Sequence, residues 1–308
     1  MSSLKRFQNL IRFIGSDGLI HYGDAIIPSS ASSASAATEA FLVKGNPFTT
    51  PLCVTSTRAQ ILKLLSPIAP SDVGTLRCLG LNYRQHANEL SLPFPEFPVL
   101  FFKPTTTLAG PTDPLIVPRI AQRRDKYSER EEGAPAEVDY EVELVIVIGP
   151  KPVRDVPVEK ALDYVLGYTV GNDYSQRTWQ SARGGGQWSL GKMYDGWAPI
   201  GPAIVAADIV GDPQALHVST TVNGTTVQDG STGDMIFSVA QAVSFLSQGS
   251  TLMPGDLIFT GTPSGVGAGR TPRLWLKHGD EVTVSLSKVG SVTNTIIYES
   301  AESGTPKL

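Results

Sequence analysis

The sequence predicts a mainly β fold with some α, and three observations predict it. Short apolar runs recur at 76–81, 98–103, 114–117, 138–148, 168–173, 202–206, 216–222, 256–260, 281–287 and 292–298, separated by Gly- and Pro-bearing turns. That density belongs to a layered β architecture. Helical spacing is confined to a few stretches, of which 158–166 behind Pro157 and 235–247 are the firmest. In the second, Ile236, Val239, Val243 and Leu246 recur at helical intervals and Gly249 follows as a stop. No internal repeat divides the 308 residues, whose 41% hydrophobic and 18% charged content suits one large domain with a smaller one.

In chain order, the first element is a pair of strands within 12–23, joined by a turn at Ser16, Asp17 and Gly18. Lys5, Arg6 and Arg12, with no acid in 1–14, also fit a weak organelle-targeting segment. The strand pair favours a folded N-terminus instead. Residues 29–40, mostly Ser and Ala, read as a loop insertion. Residues 57–65 read as a short helix stopped by Pro67 and Pro70. The Pro/Ser/Asp segment 66–74 then marks the boundary between a small N-terminal α+β domain (1–75) and the main domain (76–308). Within the main domain, the charged and aperiodic stretch 119–137 reads as a lid or insertion.

Composition excludes several classes of function. Net charge is −4, and the one basic cluster, Arg119, Arg123, Arg124 and Lys126, is followed at once by Glu129, Glu131 and Glu132. Nucleic acid is therefore not an expected partner. Cys53 and Cys78 are too few for a disulfide framework and lack zinc spacing. A reducing compartment follows, cytoplasmic with the mitochondrion as the alternative. No apolar run has the length of a membrane-spanning helix.

The segment 138–148 carries the strongest chemical signal. It alternates as a strand, so Asp139, Glu141 and Glu143 share one face and Val138, Tyr140, Val142, Leu144 and Ile146 the other. Neighbouring carboxylates repel and resist burial, which a hard divalent cation would relieve. An exposed strand end with solvated acids is the equal alternative. His86 and Glu89 are one helical turn apart, so a carboxylate can fix the imidazole tautomer for proton or water chemistry. A surface His–Glu pair is the plainer reading. A strand ending at Asp173 and turning into a short helix brings Arg177 and Gln180 together, and an Arg fork suits a substrate carboxylate. An Asp cap followed by solvated polar residues competes with it. Lys192, among Gly and aromatic residues, is either a partly desolvated cation beside an oxyanion or simply exposed. Gly261, Thr262, Pro263, Gly265 and Gly267 follow an apolar strand, where small residues let backbone N–H groups and Thr262 approach an anion. This is not a nucleotide fingerprint.

Together and in this order, these pieces resemble the fumarylacetoacetate hydrolase family over about residues 77–298. The matching positions are Gly80 to Tyr83 with His86 and Glu89, Pro98 to Pro104 around Lys103, Asp139 to Glu141 with Glu143 and Leu144, Asn172 and Asp173 with Arg177 and Gln180, Lys192 with Asp195, Gly201 and Pro202, Asn223 and Gly224, and Gly261 to Pro263 with Gly265 and Val266. The resemblance implies a mixed β-sandwich roll, usually homodimeric. It implies that Glu141, Glu143 and Asp173 hold Mg2+ or Mn2+, and that His86 and Glu89 form a dyad handling water or protons. Lys192 would stabilise an enolate or oxyanion, and Arg177, Gln180 and Thr262, beside Gly261, would bind the oxo-acid end of a small substrate. Asp139 matches no ligand of the family and is left as a supporting residue. The chain departs from compact members in its longer spacing from Glu89 to Glu141 and in the stretch 29–40.

An enolate of a 2-oxo acid or β-dicarbonyl has three fates in such a site. C–C hydrolysis, as with acylpyruvates, or decarboxylation, as with oxaloacetate, ranks first. Keto–enol tautomerisation ranks second, hydration of a 2-oxo-enoate third, and a non-catalytic binding protein last.

Overall fold

A computed structural model of the chain describes residues 6–48, 52–122 and 136–300. Two sheets dominate. The larger has eleven strands and runs, edge to edge, Ile20–Ala25, Glu39–Lys44, Cys53–Leu65, Asn9–Gly15, Ala198–Ala206, Val165–Asn172, Val142–Ile148, Leu257–Phe259, Leu76–Gly80 and Val99–Lys103, with Leu108–Ala109 beside Ala198–Ala206. The smaller has five strands, in the order Thr225–Ser231, His217–Val222, Glu281–Leu286, Gly290–Tyr298 and Leu115–Val117.

Val142–Ile148 occupies the middle of the large sheet and is buried on both faces. Val142, Leu144, Ile146 and Ile148 face a core shared with the helix Val239–Ser247 and with Val218, Val284 and Val292 of the small sheet. Val145 and Val147 face a second core with Leu10, Phe101 and Phe259. An apolar run from a two-sided core looks continuous rather than alternating, which is why the sequence signal here was strong. Burial of each such side chain contributes about 1.5–3 kcal/mol. Glu143 shares the face of Val145 and Val147, so a carboxylate and hydrocarbon continue along one row.

The acidic strand is broken where the sequence reads as continuous. Val138–Asp139 pairs with Ser175–Gln176 in a separate two-stranded ladder, and Tyr140 and Glu141 bridge to Val142. The N-terminal expectation also needs correction. Residues 57–65 are not helical; they belong to the long strand Cys53–Leu65, paired with both Glu39–Lys44 and Asn9–Gly15. Ala, Gln, Leu and Lys favour a helix only weakly, and pairing on both edges overrides that preference. Among the described residues before 76 there are strands and short 3-10 turns, and no α-helix. The stretch 29–40 holds a 3-10 turn, Ala34–Ala36, and enters a strand at Glu39. Its small side chains are used in packing, since Ala34 and Ala40 are buried with Ile11 and Phe13.

The helix expected over 158–166 is one α turn, Val158–Ala161, and a 3-10 turn, Leu162–Tyr164, before a strand starts at Val165. The helix expected from 235 starts at Val239, because Ser238 and Gln241 form a capping box there. The strand Thr225–Ser231 was not anticipated. In the stretch 119–137, residues Arg119–Gln122 form one helical turn and 123–135 lie outside the described residues, as does any lid they form.

Candidate active site and its acidic cluster

Glu141, Glu143 and Asp173 each place a carboxylate oxygen within 4.8 Å of the others. All three are buried, at 6%, 1% and 0% exposure, so the solvated strand end is ruled out. The break before Val142 makes this convergence possible. There the Glu141 amide donates to Asn172 Oδ1 at 2.9 Å, and the Asp173 amide donates to the Glu141 carbonyl at 2.9 Å. Gly261, with φ +91°, turns its amide onto Glu143 Oε2 at 2.7 Å. Asp139 turns away and accepts from the amides of Tyr140, Gly267 and Ala268.

Cations surround the cluster. Lys192 Nζ donates to Glu141 Oε2 (2.7 Å), Asp173 Oδ2 (2.6 Å) and Ser175 Oγ (2.7 Å), and lies 5.0 Å from the centre of the Phe101 ring. Lys103 Nζ donates to Asp173 Oδ1 at 2.5 Å and to the Trp197 carbonyl at 2.8 Å. Arg177 directs Nε to Asp139 Oδ2 (2.8 Å) and Nη1 to Glu141 Oε1 (2.6 Å) and Gln180 Oε1 (2.9 Å). Lys192 is therefore fully buried rather than partly desolvated, and its three donors are all used within the chain. The Arg177 fork likewise grips two of the protein's own carboxylates.

The electrostatics divide the two glutamates. Burial pushes the Glu141 carboxyl up, but Lys192 and Arg177 outweigh it and bring it down to about 2. Burial pushes Glu143 well above the usual carboxylate range, and the charges of Asp173 and Glu141 push it further. Burial works against the Lys192 ammonium, yet Asp173 and Glu141 raise it above its ordinary value. Four carboxylates thus meet three cations, and Glu143 is the one left poorly compensated. That imbalance, with a donor set made wholly of carboxylate oxygens, fits a hard divalent cation. Each carboxylate oxygen has a second lone pair, so the ammonium contacts do not exhaust the set.

Above the cluster lies a cleft of about 540 Å3 whose wall includes His86, Glu141, Glu143, Arg177, Gln180, Lys192 and Thr262, with Leu79, Phe101, Trp188 and Trp275. His86, on the short helix Arg84–Glu89, is buried, with Nδ1 3.0 Å from Glu89 Oε2. Glu89 Oε1 accepts from the Gly265 amide at 2.9 Å, and a Cβ on Gly269 would sit 2.6 Å from the Glu89 carboxyl carbon. This is a supported pair, not a loose surface contact. Glu89, Asp173 and Gly261 stand behind the wall, holding respectively His86, the two lysines and Glu143. Lys103, Asn172, Ser175 and Gln228 carry contacts that sequence reading did not assign. For Lys103 a signal existed, since a lysine closing an apolar strand before Pro104 invites a buried partner. For Gln228 there was none.

A family model described as fumarylacetoacetate (FAA) hydrolase C-terminal matches residues 75–297. The chain belongs to the fumarylacetoacetate hydrolase family. It is 44% identical over 237 residues to the fumarylacetoacetate hydrolase domain-containing protein 2 homolog of Dictyostelium discoideum, covering 74% of this chain and 73% of that protein. It is 39% identical over 233 residues to the human oxaloacetate tautomerase FAHD2A, mitochondrial, covering 76% of this chain and 69% of that one. Among solved structures, the 2-hydroxyhepta-2,4-diene-1,7-dioate isomerase of Mycobacterium marinum superposes with a TM-score of 0.75 at 33% identity, over 95% of this chain and 99% of that one. The mainly β architecture with some α is thus the family's fold. The chain is an enzyme of this family with an acidic cluster suited to a divalent metal. No helix among the described residues is long and apolar enough to cross a membrane.

Proposed function

We propose that the chain is a divalent-metal-dependent keto–enol tautomerase of a small 2-oxo acid such as oxaloacetate. The observation that carries this reading is the meeting of two features at one cleft. One is a carboxylate cluster able to hold a hard cation; the other is a histidine whose ring is set by a carboxylate. The names of the human and mycobacterial proteins support isomerase chemistry. Tautomerisation therefore moves ahead of C–C hydrolysis and decarboxylation, reversing the order expected from the sequence and its family resemblance.

In this reading Glu141, Glu143 and Asp173 hold Mg2+ or Mn2+, which supplies Lewis-acid polarisation of neighbouring substrate oxygens when bound. Glu89 accepts from Nδ1–H of His86, which leaves Nε2 with a lone pair for the cleft. His86 then takes a proton from the carbon beside the carbonyl and returns one to the oxygen. The Lys192 charge favours the negative charge that develops on the substrate. Arg177, Gln180 and Thr262, beside Gly261, orient the carboxylate end. Residues 1–75 as a small unit, 76–308 as the catalytic unit and 119–137 as a lid belong to the same proposal. So do a homodimer and a mitochondrial location like that named for the human relative.

The test gives purified protein oxaloacetate and, separately, acetylpyruvate, each with and without Mg2+, while enol absorbance and pyruvate are followed together. Faster Mg2+-dependent enol loss without pyruvate is expected. Metal-dependent pyruvate release would make the enzyme a decarboxylase or C–C hydrolase. No change in either channel would overturn the reading for these substrates.

A further inference from the structure

Gln228 belongs to the small sheet, yet its side chain crosses to the acidic cluster of the large one. It sits opposite Thr220 in the hairpin of His217–Val222 and Thr225–Ser231, where the register shifts by a bulge, and it is 1% exposed. Its Oε1 accepts from the Val142 amide at 3.1 Å and from Thr220 Oγ1 at 2.7 Å. Its Nε2 donates to Thr262 Oγ1 at 2.8 Å and to the Pro263 carbonyl at 3.0 Å. All four hydrogen-bonding positions of the amide are filled.

The orientation of this amide is not free. The Val142 N–H can only donate, so the oxygen must face it. The Pro263 carbonyl can only accept, so the nitrogen must face that side. Thr262 Oγ1 is thereby an acceptor toward Gln228, and its single proton must be given elsewhere. Among the described residues no protein acceptor receives it, and Thr262 lines the cleft. From this we infer that Gln228 is a positioning residue that fixes the Thr262 hydroxyl as an obligate donor to an acceptor oxygen of the ligand. The inference rests on the reading that the cleft binds an oxo acid. It deepens that reading by stating which polarity of ligand atom the Thr262 position accepts: a carboxylate or enolate oxygen, and not a hydroxyl or amide N–H used as a donor. Val142 lies between Glu141 and Glu143, so one side chain also ties this donor to the acidic cluster.

The experiment is a double-mutant cycle on the Mg2+-loaded protein. Its probe is oxalate, a planar dicarboxylate that copies the neighbouring oxygens of a 2-oxo acid enolate. Affinity is read by calorimetry, and Mg2+ affinity is measured separately. Gln228→Glu keeps the acceptor toward Val142 and Thr220 but offers no donor, so the Thr262 hydroxyl turns toward it. Oxalate should weaken about tenfold in Gln228→Glu and in Thr262→Val, each alone. In the Thr262→Val background, Gln228→Glu should add less than about twofold. Mg2+ affinity should hold in all three, and with a turned-over substrate KM should rise while kcat stays nearly constant. If Gln228→Glu does not fold, Gln228→Met completes the same cycle without a buried charge. Equal losses from the Gln228 change in both backgrounds would overturn the inference and leave the oxo-acid reading standing. Unchanged oxalate affinity in Thr262→Val would show that Thr262 does not face the ligand and would overturn the inference alone, whereas an Mg2+-loaded parent that binds no oxalate would remove the oxo-acid reading and the inference with it.

Discussion

The carboxylate cluster and the His86–Glu89 pair serve one cleft but are built differently. Glu141, Glu143 and Asp173 project from or just beyond strands in the middle of the large sheet, and Lys103, Lys192 and Arg177 close around them. The dyad rides on a six-residue helix, tied back by the Gly265 amide. Deep, multiply bonded charges cannot move without breaking several contacts, whereas an imidazole held by one carboxylate at a cleft wall is the kind of group that transfers protons. The cluster is suited to fixing charge and the dyad to moving it.

The largest effect should come from breaking the cluster. Glu141→Ala removes the shared partner of Lys192 and Arg177 and leaves two buried cations under-compensated. A loss of about 3–5 kcal/mol of stability is expected, together with loss of Mg2+ binding. Denaturant unfolding and calorimetry check both, and unchanged Mg2+ affinity would reject Glu141 as a ligand.

Breaking the dyad should spare both properties. His86→Ala is expected to leave the unfolding midpoint and Mg2+ affinity near those of the parent while slowing proton transfer by about 10^2–10^4. Retained enol turnover would remove His86 from the mechanism.

These predictions also mark what the sequence made legible. Most strands beyond residue 75 were visible because their turns carry Gly and Pro and, in the middle of the large sheet, two-sided burial produces apolar runs; Thr225–Ser231 was the exception. The carboxylates Glu141, Glu143 and Asp173, the His86–Glu89 pair and Lys192 each had a plainer reading alone, and it was their order along the chain, matching the family's pattern, that joined them. Cys53–Leu65 was missed because its helix-favouring residues are held by pairing with the preceding strand Glu39–Lys44 and with the more remote Asn9–Gly15, which no local signal shows. The break at Tyr140 and Glu141 was missed for a related reason: it is set by Asn172 and by the Ser175–Gln176 ladder, not by a local turn residue. Gln228 lies in a stretch of polar residues, where nothing local shows that it crosses between sheets.

A subtler test separates the two glutamates within the cluster. Glu143 titrates higher in the folded protein than its ordinary 4.5, so the folded state binds the extra proton. Its contribution is complete below the ordinary carboxylate range and declines as pH rises toward the raised folded value. Glu141, brought down to about 2, behaves oppositely: its contribution is present above 4.5 and is lost as pH falls toward 2. Metal-free Glu143→Gln should therefore lose the decline on the alkaline side and keep the loss on the acid side. Mg2+ should remove the same decline from the parent by favouring ionised Glu143. Stability measured in stepped pH, with and without Mg2+, decides it; an identical alkaline slope in parent and variant would contradict the assignment.

The smallest effect should come from the far side of the same strand. The helix Val239–Ser247 packs Val239, Ala242, Val243 and Leu246 into the core that also receives Val142, Leu144, Ile146 and Ile148. Its start is set by Ser238, whose Oγ accepts from the Gln241 amide at 3.3 Å while Gln241 Oε1 accepts from the Ser238 amide at 2.8 Å. Ser238→Ala should cost about 1 kcal/mol and leave Mg2+ affinity and enol turnover unchanged, because Glu143 lies on the opposite face of Val142–Ile148 and Glu141 precedes that strand. The cap supports the scaffold and touches neither the cluster nor the dyad. If turnover or Mg2+ affinity fell in proportion to this loss of stability, the two faces of the strand would be coupled, and the cluster would depend on packing behind it as well as on the charges around it.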